Sequence, residues 1–456
     1  MKKIVLVIGV MMLASVSAFA QESLTSGQNA GGRQWTLQDC IDYAMANNIT
    51  LQKSRLQKLS ATEDVKGAKG ALLPTLNAST NQSVGYRPWQ DSDVSTVTNG
   101  QVNSKVSKSY YNGSYAVNAS WTVWNGNKKT NTVKLNQLSE EEAELSVQET
   151  ANSIQERIAQ LYTQILYLDE NVKVNEQTLE TSKKNEERGR EMVSVGKMSK
   201  ADLAQLTAQR ATDEYNIVES RSQLATYKLQ LKQLLEITDE QPFDVAVPDI
   251  DDGQILATVP TLNSVYEQAL LNRPEIRHSE LSIKSSDLNL SIAKAGWLPT
   301  INMTGSFGTS TNSLSSNAWG TQLKTNFDAM AGLSVNVPIY DGRSTKTAVN
   351  KAKIQQQSAQ LDLLDQQKTL YSTIQEFWLN AQTNQEKYRA ASASVESEQE
   401  SFDLLSEQFR LGLKNIVELM TGKDRLLSAQ QSQLQSKYTA LYNQLMLKFY
   451  QGGEIK

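Results

Sequence analysis

With 456 residues, 39% of them hydrophobic, and a formal net charge of −4, the chain has neither the basic surplus of a nucleic-acid binder nor the extreme acidity of a disordered tail. One cysteine, Cys40, rules out an internal disulfide, and one histidine, His278, rules out a zinc cluster built on histidines. Only 8 prolines and a mean hydropathy of −0.46, with long Gln-, Ser-, Ala-, Leu- and Lys-rich stretches, point to long water-facing helices.

The chain opens on Lys2 and Lys3, an apolar run from Ile4 to Leu13, and Ala18-Phe19-Ala20. These are the parts of a secretory signal peptide, residues 1–20, and cleavage is expected after Ala20. Its removal takes the net charge from −4 to −6. No later stretch approaches the roughly 20 apolar residues of a membrane helix, so any crossing of a bilayer must be made by strands. Cys40 lies well past the cleavage site and reads as a buried helix residue rather than a lipid-modified terminus.

The rest is one unit written twice. Leu37 and Pro74 align with Leu262 and Pro299, and further on Trp124-Asn125-Gly126 aligns with Tyr340-Asp341-Gly342 and Val195-Gly196-Lys197 with Leu411-Gly412-Leu413. The first copy covers 21–236 and the second 261–456; between them 237–260, with Pro242, Pro248, Asp249, Asp251, Asp252 and Gly253, reads as a linker. In the first copy a helix is expected over 36–70, strands over 75–86 and 113–124, a long helix over 127–195, a tip turn, and a helix over 199–236. The second repeats this with a helix over 261–297, strands over 299–307 and 332–340, a long helix over 343–411, a tip turn, and a helix over 415–450.

The strands rest on a period of two. Tyr115, Val117, Ala119, Trp121 and Val123 alternate with Asn118, Ser120 and Thr122; Ile301, Met303 and Phe307 alternate with Asn302, Thr304 and Ser306; Leu333, Val335, Val337 and Ile339 alternate with Ser334 and Asn336. The run from Leu76 to Tyr86 carries the weakest pattern. Ser-, Thr- and Asn-rich loops, 87–112 and 308–327, separate the members of each pair. Trp89, Trp121, Trp124, Trp297 and Trp319, five of the seven tryptophans, fall in or beside these modules. Such residues form belts at lipid headgroups, and the alternative is a soluble sheet with an aromatic core.

Each long helix, at 1.5 Å per residue, would extend roughly 100 Å, which no compact domain needs. Val147, Ala151, Ile154, Ile158, Leu161, Ile165, Leu168, Val172 and Leu179 keep a coiled-coil step broken at Asn175, and Leu370, Ile374, Phe377, Ala381, Tyr388, Ala391 and Val395 repeat it. Leu203, Leu206, Ile217, Leu224, Tyr227, Leu231 and Leu234 continue the spacing after the first turn. The two shorter helices of each copy together match the long one, so each copy supplies two columns, one long rod beside two short rods placed end to end. Two strand pairs give four strands, too few to close a barrel, and open strand edges in hydrocarbon cost several kcal/mol per unpaired group. Each chain must therefore share a barrel with copies of itself. A coiled-coil structural or adhesive envelope protein is the competing reading, although it leaves the duplicated strand pairs unexplained. A secreted enzyme lacks a catalytic cluster; Glu140, Glu141 and Glu142 read as a solvated helix face.

Asn272-Arg273-Pro274-Glu275, Ala295-Gly296-Trp297-Leu298-Pro299 and Val337-Pro338-Ile339-Tyr340-Asp341-Gly342 resemble the helix start, the passage into the strands and the exit from them in the TolC-like outer-membrane factor family. The resemblance covers the whole mature chain. It implies an α+β membrane protein in which long antiparallel coiled-coil helices build a helical tunnel and four strands per chain join a trimeric twelve-stranded transmembrane barrel. It further implies a passive exit duct of a tripartite efflux or type I secretion system in the outer membrane, its tunnel projecting into the periplasm. The partners would be a periplasmic adaptor, an inner-membrane transporter and outer-membrane lipid, with no cofactor and no nucleic acid. Adaptor contact falls on the tips Val195, Gly196 and Lys197, and Arg410, Leu411, Gly412 and Leu413. The second keeps the family's Arg-Leu-Gly, while Lys197 departs from it; glycine at a helix end is also ordinary turn chemistry. Acidic aperture positions map onto Glu418 and Thr421, with Asp202 equivalent to Glu418 in the first copy, although Ser199/Asp202 and Asn415/Glu418 equally have capping-box spacing. The linker would lie outside the tunnel at mid-height.

Overall fold

The structure is a computed structural model that describes residues 34–89, 96–98, 101–103, 107–238, 243–248 and 250–455. The expected signal segment and part of the linker, Pro242 and Asp249 included, lie outside the described residues. Strand β1 (Gln34–Trp35) leads to helices α1 (Leu37–Asn47) and α2 (Ile49–Gly70), strand β2 (Thr75–Tyr86), two short strands β3 (Thr96–Thr98) and β4 (Gln101–Asn103), and strand β5 (Ser109–Trp124). Helices α3 (Lys128–Ser194) and α4 (Lys200–Leu234) complete the first copy. Strand β6 (Asp244–Val245) and helix α5 (Asp252–Ile255) follow, then α6 (Leu262–Asn272), α7 (Pro274–Lys294), β7 (Thr300–Asn312), α8 (Trp319–Thr325), β8 (Asp328–Asn336), α9 (Ser344–Arg410) and α10 (Ile416–Tyr450).

Where a single first helix is expected in each copy, over 36–70 and 261–297, the chain breaks it at equivalent places, Asn48 and Arg273. The reason is end-to-end stacking of the short rods. Asn48 leaves the helical region, caps α2 by accepting the Leu51 N–H, and donates from Nδ2 to the last carbonyl of α4 at Leu234, 3.0 Å away. In the second copy Pro274 opens α7 at the position that needs no N–H, and Asn272 Nδ2 donates to Gln451 O at the end of α10, 3.2 Å away. Each column thus continues through a second rod, α2 on α4 and α7 on α10.

Helix α3 packs against α2, α4, α7 and α10, while α9 packs against α7 and α10. The columns therefore run in the order α2/α4, α3, α7/α10, α9. The sheet follows the same order, β2-β5-β7-β8, all antiparallel. The principal core lies around mid-height, where Trp35, Cys40, Ile158, Ile165, Leu231, Val265, Ile374 and Met446 are buried together. β1 pairs in parallel with β6, and Gln385 and Gln444 hold α5 by donating to Ile255 O. A small second core, Phe402, Phe409, Ile416, Leu419 and Leu426 with Leu206, lies near the tips.

The strands reach further from the helices than apolar alternation alone indicates. β5 begins at Ser109 rather than at 113, because Ser109 to Asn112 stay in register with Tyr86 to Ser83. β7 runs to Asn312 instead of 307, and β8 covers Asp328–Asn336 instead of 332–340. Its ladder ends at Asn336, paired with Thr300, and Pro338 has no N–H with which to continue it. The second loop, expected to be irregular over 308–327, holds α8.

Candidate functional site

Register assigns every strand residue to a face. Trp121, Val117 and Tyr115 of β5 stand opposite Met303, Phe307 and Thr309 of β7, and Met303 and Ile301 stand opposite Leu333 and Val335 of β8. On β2, Leu76, Ala78 and Val84 join this face opposite Ala119, Val117 and Tyr111. The apolar members are exposed, Leu76 at 74%, Val84 at 81% and Leu333 at 69%, so beyond the part that α8 leans on this face is bare in one chain. The other face carries Thr75, Asn77, Ser79, Asn81 and Ser83 opposite Ser120, Asn118, Ala116, Ser114 and Asn112, continuing through Asn302, Thr304, Ser306 and Ser334. The weak run on β2 was obscured by reading it alone, since Thr80 and Gln82 interrupt its apolar side. Among the described residues no helix is long and apolar enough to cross a membrane, so the sheet, apolar on one side and lined with hydroxyls and amides on the other, is the element fitted to lipid.

At the opposite end both tip turns have one geometry. Gly196 and Gly412 each have φ of 77°, and both helices close with a 6→1 and a 5→2 backbone bond: Lys197 N to Met192 O at 2.8 Å with Gly196 N to Val193 O at 3.1 Å, and Leu413 N to Gln408 O at 2.9 Å with Gly412 N to Phe409 O at 3.0 Å. That is the Schellman closure, so the glycines are required by the turn whatever else they do. Around them the side chains differ: Val195 and Lys197 are exposed at the first tip, Leu411, Leu413 and Val417 at the second. Arg410 is paired with Glu407 on its own helix, and this guanidinium holds the Glu407 carboxyl below its ordinary range.

The aperture candidates all fall in helix starts. Glu418 completes a capping box: Asn415 Oδ1 accepts the Glu418 N–H at 2.9 Å, and Glu418 accepts the Asn415 N–H at 3.2 Å. Lys414 Nζ donates to the same carboxylate at 2.6 Å, and this bond, with the Asn415 N–H, lowers its pKa. Asp202 accepts from Ser199 Oγ at 2.8 Å, while its own N–H donates back to that hydroxyl at 3.1 Å. The Thr421 hydroxyl is turned onto its helix, donating to Val417 O at 2.8 Å.

Sequence reading missed a buried polar seam behind the first tip. Lys423 of α10 donates to Asp213 of α4 at 2.7 Å and to Ser182 of α3 at 3.2 Å, and Ser182 donates to Asp213 at 2.5 Å. All three are buried, and together they tie the second hairpin to the first. One turn nearer the tip, Glu186 accepts from Thr207 at 2.9 Å, Arg190 at 2.7 Å and Arg210 at 2.7 Å. Burial pushes the Glu186 carboxyl up, but these hydroxyl and guanidinium partners outweigh it and leave its pKa lowered. The signal was in the heptad: past Val172 its core positions are Asn175, Leu179, Ser182, Glu186 and Gly189.

A sheet with one lipid-compatible face, continuous with four helical columns, defines a channel-forming outer-membrane protein. The outer membrane efflux protein family model matches residues 40–236 and 265–453, one match per copy, and the chain belongs to that family. It is 22% identical over 428 residues to the outer membrane efflux protein BepC of Brucella suis, covering 93% of this chain and 87% of that one. To the outer membrane protein TolC of Escherichia coli it is 23% identical, over 95% of this chain and 84% of that one. The Campylobacter jejuni CmeC outer membrane channel superposes with a TM-score of 0.76 at 19% identity, over 92% of this chain and 86% of that one. The protein is an outer-membrane channel component and not an enzyme.

Proposed function

We propose that three copies close into one duct and that this duct is the outer-membrane end of a tripartite export machine, taking cargo passively from an inner-membrane transporter through a periplasmic adaptor. One observation carries the reading: the two open edges of the sheet and of the helical array fall on the same sides. β2 and the α2/α4 column form one edge, β8 and α9 the other. A single rotation therefore pairs β8 with a neighbour's β2 and seats α9 against a neighbour's α2 and α4, leaving no edge. Three copies give twelve strands, a bore wide enough for solutes.

The exposed Leu411, Leu413 and Val417 make the second tip the stronger adaptor contact, with Val195 and Lys197 supporting it at the first. A photo-cross-linking residue at Leu413 should capture a periplasmic adaptor in intact cells, while one at Lys346, beside the barrel, should not. Capture at Lys346 alone, or at neither, would refute tip docking.

Glu418 is proposed to contribute a carboxylate to the narrow end of the bore as well as its cap. Glutamine preserves a capping box. Glu418→Gln should therefore melt as the wild type does yet show lower cation selectivity in a planar bilayer, whereas Glu418→Ala should also lose about 1 kcal/mol of stability. Unchanged selectivity in both variants would leave Glu418 as a cap only.

A further inference from the structure

The short helix α8 is attached to the outside of the sheet, and its position assigns it a partner. The Thr309 hydroxyl donates to Leu323 O at 2.9 Å, Asn312 N donates to the buried Gln322 Oε1 at 2.7 Å, and Asn326 Nδ2 donates to Ser310 O at 2.7 Å. Thr309 stands opposite Tyr115, on the face that carries Phe307, Val117 and Trp121. The Trp319 ring meets Tyr115 edge-on at 6.4 Å, and Phe327 stacks on Phe307 at 6.5 Å. The helix thus leans on the apolar side of the wall, not across the mouth of the bore.

Its outer surface remains uncovered. Trp319 is 56% and Phe327 60% exposed, and Lys324 is exposed between them. Asp328, the nearest acid in sequence, stands opposite Gly308 and so faces the bore. Height places the helix at a boundary: Tyr111, at the head of β5, and Trp121, near its foot, are ten residues apart. That is roughly 34 Å along a strand and about 26 Å in height at a tilt of ~40°, the height of the apolar band of a membrane barrel. Tyr111, Tyr115, Gln82, Thr311 and Trp319 gather at its upper limit, where amphipathic rings belong.

We propose that α8 is an interfacial docking element for an anionic, phosphate-bearing lipid of the outer leaflet, with Trp319 and Phe327 among the upper acyl carbons and Lys324 against the uncompensated phosphate charge. This rests on the lipid-facing assignment of the sheet, and the test separates the two. The wild type and Trp319→Phe are reconstituted into phosphatidylcholine vesicles brominated either near the headgroup or deep in the chains. The emission lost in Trp319→Phe should be quenched more strongly by shallow bromines. Adding phosphatidylglycerol should raise the melting temperature of the wild type by several degrees more than that of Lys324→Gln. If the remaining tryptophans are quenched but the Trp319 component is not, the docking proposal is wrong while the membrane sheet stands. If no tryptophan is quenched, both fall. Equal stabilisation of the wild type and Lys324→Gln by the anionic lipid would eliminate recognition of the anionic headgroup by Lys324 and overturn the choice of lipid.

Discussion

Gly189 and Gly422 show how one packing problem is solved twice with the partners exchanged. A Cβ on Gly189 would lie 2.5 Å from Leu206 Cδ1, and one on Gly422 would lie 2.6 Å from Leu405 Cδ1. In the repeat alignment Gly189 corresponds to Leu405 and Leu206 to Gly422, so each hairpin holds one glycine and one leucine at the same level, on opposite helices. Gly422→Ala should cost about 1–3 kcal/mol by overpacking, read as a lowered melting temperature. The tip glycines fail differently. Nothing lies within 4 Å of a Cβ at Gly196 or Gly412, so alanine there meets only the backbone penalty of about 1–2 kcal/mol, and asparagine should recover part of it. That both tips carry glycine was legible from the sequence. Which side chains lean on Gly189 was not, because a contact between helices leaves no mark in either helix's own pattern.

At the scale of elements, the two hairpins are built from different chemistry. The second closes over Phe402, Phe409, Ile416 and Leu419; the first closes over Asn175, Ser182, Glu186 and Asp213, with Asn175 donating to Ser220 at 2.7 Å. Removing one partner of a buried ion pair strands the other, so Lys423→Met should destabilise by about 3–5 kcal/mol, while Lys423→Met combined with Asp213→Leu should recover most of it. A double-mutant cycle in chemical unfolding measures the difference. Two groups give the long helices opposite responses to pH. Glu186 has a folded pKa below its ordinary 4.5, so its contribution is present above 4.5 and lost as pH falls through the lower, folded value. His278, whose Nδ1 lies 2.9 Å from Glu149, is raised above its ordinary 6.5 chiefly by that hydrogen bond. Its contribution is therefore complete below 6.5 and lost as pH rises through the folded value. Melting temperature followed from pH 6 to 8.5 should fall less steeply for His278→Gln than for the wild type, by a small margin because the imidazole is partly exposed. The long helices, the strands and the tips were readable from periodicity and duplication. The kinks at Asn48 and Arg273 were not, because stacking one rod on another's end is a long-range demand. At Arg273 the buried guanidinium meets Glu156, Glu275 and the Tyr450 ring, none of which its own segment announces except Glu275.

For the whole molecule, sharing a barrel follows from the sequence because four strands cannot close, and the structure adds the two edges, β2 and β8, along which the proposed closure would run. The polar face of the sheet is uncharged along most of its length: Thr, Asn and Ser occupy it on β2, and Asp328 stands alone at the outer end of β8. As the lining of the proposed duct, such a face would wet the bore without selecting cargo by charge. In the proposed duct, charge toward cargo would come instead from the helices, with Glu418 and Asp202 as the proposed positions. The direct measurement is the mass of the detergent-solubilised protein in the same preparation that conducts ions in a planar bilayer. Three subunits in the conducting particle is the expected result. A particle of one subunit that conducts would contradict the account, because a lone four-stranded sheet would then be surviving in hydrocarbon with both edges bare.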